Sequence, residues 1–91
     1  MPHDKNAGDF LREARKKAKL MQGDVAEELG YTSAQFISNW ERGISFPPTD
    51  KLPYLAKLLR ISHRKLVDKI FASKMAELEA ARADALRRRS A

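Results

Sequence analysis

Residues 22–43, QGDVAEELGYTSAQFISNWERG, contain two short stretches in which apolar residues recur at helical spacing. The two apolar stripes are Val25, Ala26 and Leu29 in the first stretch and Phe36, Ile37 and Trp40 in the second. A glycine follows each stretch, Gly30 and then Gly43, and glycine readily takes the positive φ with which many helices end. The segment therefore predicts two short helices joined by a tight turn at YTS, in which Ser33 caps the second helix.

The rest of the sequence also has helical periodicity, and nothing in it alternates like a β-strand. We expect a first helix over residues 7–19, a fourth from Thr49 to Leu59, and a fifth that Ser62 caps. From residue 72 onward the chain has no Gly or Pro and is rich in alanine, which predicts that the fifth helix continues. The predicted fold is all-α, with a loose lead at residues 1–6, a five-helix domain at 7–71 and a helical tail at 72–91.

The outer face of the second short helix is suited to hydrogen bonding. It presents Ala34, Gln35, Ser38, Asn39 and Arg42. A short helix, a turn containing glycine and a second helix with a polar outer face form the pattern of a helix-turn-helix. In that pattern Ala26 is small because the second helix crosses close to it, while Ile37 and Trp40 fill the space between the helices. Side-chain amides can donate and accept hydrogen bonds at once, as adenine N6 and N7 require, so Gln35 and Asn39 suit base reading in a major groove. The alternative is that this face is simply solvated.

Charge and composition narrow the function classes. Eighteen Lys and Arg against twelve Asp and Glu give a net charge of +6, which favours an anionic partner, nucleic acid before a membrane surface. Cysteine is absent and the two histidines lie in unrelated segments, so we expect no disulfide, metal site or cofactor. No apolar run approaches the roughly 18 residues of a membrane span, and no catalytic triad or phosphate-binding glycine loop is present. We expect a cytoplasmic protein that binds neither metal nor membrane and is not an enzyme.

Residues 11 to about 66 resemble the Cro and phage-repressor type of helix-turn-helix, often called the xenobiotic-response-element family. The motifs that carry the resemblance are LREARKKAKLMQGDVAEELG, FISNWERG and, after a connector containing proline, LAKLLRIS. The matching positions are Gln22, Ala26, Gly30, Ile37, Trp40, Glu41 and Gly43. The resemblance implies a lambda-repressor-like DNA-binding domain in a sequence-specific regulator of transcription, a homodimeric repressor that binds double-stranded DNA.

The resemblance also implies roles for individual residues. Ala34 and Gln35 would read bases, with Ser38 and Asn39 doing so one turn later. Gln22 and Arg42 would contact phosphates, and Ser33 would do so in addition to its capping role. This sequence has one residue more between Gly30 and Ile37 than the commonest spacing, so the register of Ser33, Ala34 and Gln35 stays open by one position.

Arg15 and Glu41 each lie just beyond the apolar edge of their helix. Their positions suggest an ion pair between the first and third helices, and the resemblance implies the same pair. It is either an ordinary surface pair or a partly buried pair that orients the third helix, and we favour the second.

In the tail, residues 71, 75, 78, 82 and 85 have the spacing of one helix face. They are Phe, Met, Leu, Arg and Ala, so this stripe is interrupted at Arg82. We expect it to assist dimerisation, because two recognition helices can then contact two DNA half-sites. Two alternatives stay open: an antitoxin that binds DNA and holds a toxin through its C-terminal helix, and a helical adaptor that binds protein without reading DNA.

Overall fold

The computed structural model describes residues 6–90, with side chains as far as Arg88. Within this range the helices are α1 (Ala7–Lys17), α2 (Gln22–Glu28), α3 (Gln35–Glu41), α4 (Leu52–Leu58) and α5 (His63–Ser90), with one 3-10 turn (Thr49–Lys51) directly before α4. None of these residues forms a strand, and the all-α prediction with a long C-terminal helix is confirmed. The predicted loose lead lies outside the described residues except for Asn6, whose Oδ1 accepts a hydrogen bond from the Asp9 N–H (2.8 Å) and caps α1.

Four of the described residues have a positive φ, and each follows the end of a short helix: Lys19 (61°), Gly30 (83°), Gly43 (76°) and Arg60 (57°). Gly30 and Gly43 therefore end α2 and α3 as their sequence positions predict. Lys19 takes the same left-handed conformation, so α1 ends at Lys17 rather than at residue 19.

Buried apolar residues from all five helices form one core. They are Ala7, Leu11 and Ala14 of α1; Val25, Ala26 and Leu29 at α2; Ile37 and Trp40 of α3; Leu52, Leu55, Ala56 and Leu59 at α4; and Leu66 and Ile70 of α5. The apolar stripe that the sequence predicts for α2 is thus confirmed as its buried face.

The apolar stripe of the second short helix predicts that Phe36 is buried together with Ile37 and Trp40, and this is wrong, because Phe36 is 46% exposed. The buried residues of α3 are Ile37, Trp40 and Glu41. On a helical wheel they span about 100° centred near Ile37, and Phe36 lies about 40° beyond Trp40. The buried face of α3 is thus rotated away from Phe36 and toward Glu41.

The described contacts of the fifth helix with the domain lie along its first half. The Ser62 Oγ accepts a hydrogen bond from the Lys65 N–H (3.2 Å), which confirms the predicted cap. Leu66 and Ile70 enter the core, and the Ser73 Oγ accepts a hydrogen bond from the Ala7 N–H at the start of α1 (2.8 Å). Among the described residues, no helix is long and apolar enough to cross a membrane.

Helix α1 approaches the end of α3 very closely at Gly8. A Cβ atom at this position would overlap the Glu41 carbonyl and come within 2.9 Å of the Trp40 carbonyl oxygen. Only glycine leaves room for this contact, so Gly8 helps to fix the position of α3 against α1.

Candidate nucleic-acid interface

Helix α3 is anchored through one face and open to solvent on the other. Ile37 (3% exposed) and Trp40 (4% exposed) lie in the core, and the edge of the Trp40 ring meets the Tyr31 ring at 5.7 Å between centroids. Ala26, behind α3, is 2% exposed. The small residue and the two large ones therefore occupy the positions that the helix-turn-helix pattern predicts for them.

The ion pair between Arg15 and Glu41 is buried. The Arg15 Nε donates to Glu41 Oε2 (2.6 Å) and the Arg15 Nη2 donates to Glu41 Oε1 (3.1 Å), while both residues are less than a tenth exposed. The third contact of the guanidinium is with the Leu20 carbonyl oxygen, to which Nη1 donates at 2.9 Å. The buried form of the pair that we favoured from the sequence is confirmed, and it links α1 to the end of α3.

Gln22 joins this ion pair through its side chain. Its Nε2 donates a hydrogen bond to Glu41 Oε1 at 3.0 Å, and the side chain is half-buried. The sequence resemblance implies a phosphate contact for Gln22, whereas its contact with Glu41 became visible only in the structure. The contact holds the start of α2 beside the end of α3, and the phosphate contact stays a prediction.

Two aromatic rings stack where the turn between α2 and α3 meets the start of α3. The Tyr31 and Phe36 rings lie 4.6 Å apart at 22°, and the Lys51 Nζ lies 5.6 Å from the Tyr31 centroid. Lys51 also donates to the Leu29 carbonyl oxygen at the end of α2 (3.2 Å). Burial first, and the Asp50 carboxylate second, raise the pKa of Tyr31 above 10.0. The role of Tyr31 was not predicted from the sequence, in which the available signal was a tyrosine five residues before a phenylalanine across a turn.

The hydrogen-bonded part of α3 begins at Gln35. Ala34 already has helical backbone angles and its carbonyl accepts from the Ser38 N–H, while the Ser33 Oγ accepts from the Gln35 N–H (3.0 Å). By its backbone hydrogen bonds α3 therefore has its N-cap at Ala34, one residue later than the sequence predicts, and the Ser33 Oγ caps the Gln35 N–H from the preceding position.

The candidate base-reading residues lie together on the outer face of α3. Gln35 is exposed, whereas Ala34, Ser38 and Asn39 are partly exposed. The Gln35 Nε2 donates a hydrogen bond to Asn39 Oδ1 at 2.9 Å, so the two amides contact each other along the helix. Arg42, exposed at the end of α3, is the remaining predicted phosphate contact. Among the described residues, no cluster of His, Asp and Glu could hold a metal ion.

Comparison with known proteins gives matches over most of this domain. A family model described as a helix-turn-helix domain matches residues 7–70. The HTH-type transcriptional regulator ImmR of Bacillus subtilis is 38% identical over 72 residues, which are 79% of this chain and 56% of that protein. The uncharacterized HTH-type transcriptional regulator Rv0474 of Mycobacterium tuberculosis is 38% identical over 55 residues, 60% of this chain and 39% of that protein. The chain thus spans between about two fifths and just over half of these relatives.

Among solved structures, the P22 c2 repressor protein in complex with synthetic operator 9T superposes with a TM-score of 0.63 at 33% sequence identity. The match covers 69% of this chain and 94% of the repressor chain. The part of the chain that superposes therefore has the fold of a repressor solved on its operator.

Proposed function

Because this chain belongs to the helix-turn-helix domain family, we propose that it is a sequence-specific, double-stranded-DNA-binding regulator of transcription that inserts α3 into the major groove. The observation that carries the proposal is the two-sided character of α3. Ile37, Trp40 and the buried pair at Glu41 fix one side, and the opposite side presents Gln35, Ser38 and Asn39 to solvent. A major groove about 12 Å wide admits one α-helix, and amide and hydroxyl groups on its outer face can read base edges.

The proposed contacts divide into positioning and reading. Gln22, Ser33 and Arg42 surround α3 and contact phosphates, with Gln22 using the part of its amide that does not bind Glu41. Ala34, Gln35, Ser38 and Asn39 contact base edges, the Ala34 methyl meeting a thymine methyl. The net charge of +6 attracts DNA over longer distances and makes the affinity fall as salt rises. A regulator of this kind acts in the cytoplasm, in contact with DNA.

We further propose that the protein acts as a homodimeric repressor, with α5 at the subunit contact. Outside the core, α5 carries a row of exposed apolar side chains: Val67 (37%), Phe71 (64%), Met75 (42%) and Leu78 (64%). A second copy that covers this row would bring two α3 helices to two half-sites about one DNA turn apart. The likeness to a repressor solved on its operator supports repression rather than activation.

The test of DNA reading is selection from a random duplex library, followed by fluorescence anisotropy of the selected duplex and of a scrambled duplex across salt concentrations. We expect a palindromic site bound at least about 10³-fold more tightly than the scrambled duplex. Weak binding without sequence preference that vanishes as salt rises would contradict the proposal, because it would reduce the interaction to charge alone.

The test of the subunit contact is sedimentation of the full chain and of a chain that ends at Phe71. We expect a dimer for the full chain and a monomer for the shortened one, which keeps Leu66 and Ile70 in the core. A dimer that survives the truncation would contradict a role for the tail. A full-length monomer that still selects a single half-site would instead favour the alternative from the sequence, in which the row on α5 binds a different protein.

A further inference from the structure

The two amide side chains on the outer face of α3 are hydrogen-bonded to each other. The Gln35 Nε2 donates to Asn39 Oδ1 at 2.9 Å, across one helical turn. Both residues are at least partly exposed, and the Gln35 backbone N–H is held by the Ser33 Oγ (3.0 Å). The contact therefore lies on the surface that the proposed function assigns to base reading, at the start of the helix where the backbone is fixed by a cap.

The hydrogen bond changes what each amide can offer to a base. A free side-chain amide has two N–H donors and an oxygen with two acceptor sites. In this pair Gln35 keeps its oxygen and one N–H, which are the two groups that adenine requires from a reader at N6 and N7. Asn39 has used part of its oxygen on Gln35, so its two N–H groups are its principal remaining contacts. It is thereby suited to acceptor edges, such as guanine N7 and O6 or thymine O4.

We propose that Gln35 and Asn39 act as one coupled reading unit, an inference that rests on the proposed function. In this unit Asn39 orients the Gln35 amide for adenine. Asn39 also selects a neighbouring base pair that presents hydrogen-bond acceptors. Four residues separate the two side chains by about 6 Å along the helix axis, and stacked base pairs are about 3.4 Å apart, so the unit reads adjacent or next-adjacent pairs. Asn39 is then both a specificity-determining residue at its own base pair and a positioning residue for Gln35.

A purely structural role for the hydrogen bond makes a different prediction. Side-chain pairs four residues apart stabilise helices whether or not the protein binds DNA. If that were the only role, removing either partner would change the stability of α3 slightly and would leave base preferences at the other residue's position unchanged.

The experiment is a comparison of base preferences by library selection for the full-length wild type, Asn39→Ala and Asn39→Asp. Asn39→Ala removes the acceptor that holds Gln35, whereas Asn39→Asp keeps an acceptor at that place and removes the two donors. We expect Asn39→Ala to relax the preference at two base pairs, its own and the adenine read by Gln35. We expect Asn39→Asp to change only its own base pair and to retain the adenine. The readout is the identity of the selected bases. The added negative charge of Asp lowers the affinity for any DNA, but it does not obscure which bases are selected.

A double-mutant cycle with Gln35→Ala and Asn39→Ala on the selected duplex gives the size of the coupling. If the two residues acted independently, the fold-losses in affinity of the two single variants would multiply in the double variant. We expect the double variant to bind at least about threefold more tightly than that product predicts, as is usual for residues in direct contact. Ser38→Ala serves as the control, since it lies on the same face without a hydrogen bond between its side chain and either amide among the described contacts. It should change the preference at one base pair only.

Independent effects would overturn the inference: losses that multiply within error, together with Asn39→Ala and Asn39→Asp profiles that both keep the adenine. If the wild type selects no site at all, the proposed function fails and the inference fails with it. If the wild type selects a site but the two residues act independently, only the inference fails. The first selection therefore distinguishes the two failures. Circular dichroism melts of each variant establish that α3 is folded. Because the substituted side chains are at least partly exposed, their melting temperatures should stay close to that of the wild type.

Discussion

Removing the charge of Arg15 is the most direct test of how α3 is held. The Arg15→Met substitution keeps much of the length of the side chain and removes three hydrogen bonds. Two of these are charge-assisted bonds to Glu41, at 2.6 and 3.1 Å, and the third is the bond to the Leu20 carbonyl at 2.9 Å. Glu41, 7% exposed, is then left in the domain interior with two remaining partners, the Gln22 amide at 3.0 Å and the Arg12 guanidinium at 3.8 Å.

The cost of this substitution is dominated by the buried carboxylate, which loses its buried cation at 2.6 Å and keeps the more exposed Arg12 at 3.8 Å. Breaking a buried ion pair by removing one partner costs about 3–5 kcal/mol, a large part of the roughly 5–15 kcal/mol by which a small domain is stable. Replacing both partners removes the stranded charge as well. We therefore expect the double variant Arg15→Met/Glu41→Leu to be more stable than Arg15→Met alone, although it has lost more of the native contacts.

Urea unfolding followed by circular dichroism measures these differences. Arg15→Met should lower the midpoint by about 1 M or more, and the double variant should recover part or all of that loss. Arg12→Met is the matched control, because the Arg12 Nε lies 3.8 Å from the same carboxylate but its side chain is 53% exposed. It should cost less than about 1 kcal/mol. The reasoning is refuted if Arg15→Met costs no more than Arg12→Met, or if the double variant is the least stable of the three.

Three further substitutions test the packing around α3. Trp40→Ala should cost about 3–5 kcal/mol by thermal unfolding, because Trp40 is 4% exposed in the core, and an unchanged melting temperature would contradict that role. Gly8→Ala should destabilise the domain by about 1–3 kcal/mol, because the added Cβ meets the backbone at the end of α3, whereas Gly23→Ala, with nothing within 4 Å, should be neutral or stabilising. If the two alanine variants melted alike, the close approach at Gly8 would be in doubt. The raised pKa of Tyr31 means that the fold favours the neutral phenol, so the free energy of unfolding should fall as pH rises above about 10. The Tyr31→Phe variant should lose less stability than the wild type over that pH range, and parallel decreases in denaturant titrations would contradict the prediction.

The features that the sequence predicted correctly are those set by local periodicity and backbone preference. The helical spacing of Val25, Ala26 and Leu29 predicts which face of α2 is buried, because residues three and four apart share a side of any helix. Gly30 and Gly43 mark helix ends because the left-handed conformation is most accessible to glycine. The pairing of Arg15 with Glu41 was also accessible, since both lie at the same edge of their apolar stripes.

The tertiary structure decided the features that depend on how helices are rotated against one another. A helical wheel shows that Phe36, Ile37 and Trp40 share an arc, but it does not show where on that arc the core lies. The packing of α3 against α1 buries Glu41 and leaves Phe36 on Tyr31 at the surface. The need for glycine at position 8 arises in the same way, because it exists only where α1 meets the carbonyl groups of α3.

The features of the candidate interface also divide into those that the sequence predicts and those that depend on helix packing. The polar composition of the outer face of α3 can be predicted from the sequence, because it follows from which residues lie opposite Ile37 and Trp40. The attachment of Gln22 to Glu41 brings together residues from different helices, so it required the packed structure. The bond between Gln35 and Asn39 joins residues one turn apart, yet its existence depends on the side-chain conformations that the exposed face of α3 permits. Local sequence thus determined the helices and the chemistry of their faces, while packing between helices determined which of those groups are buried, paired or left to meet a partner.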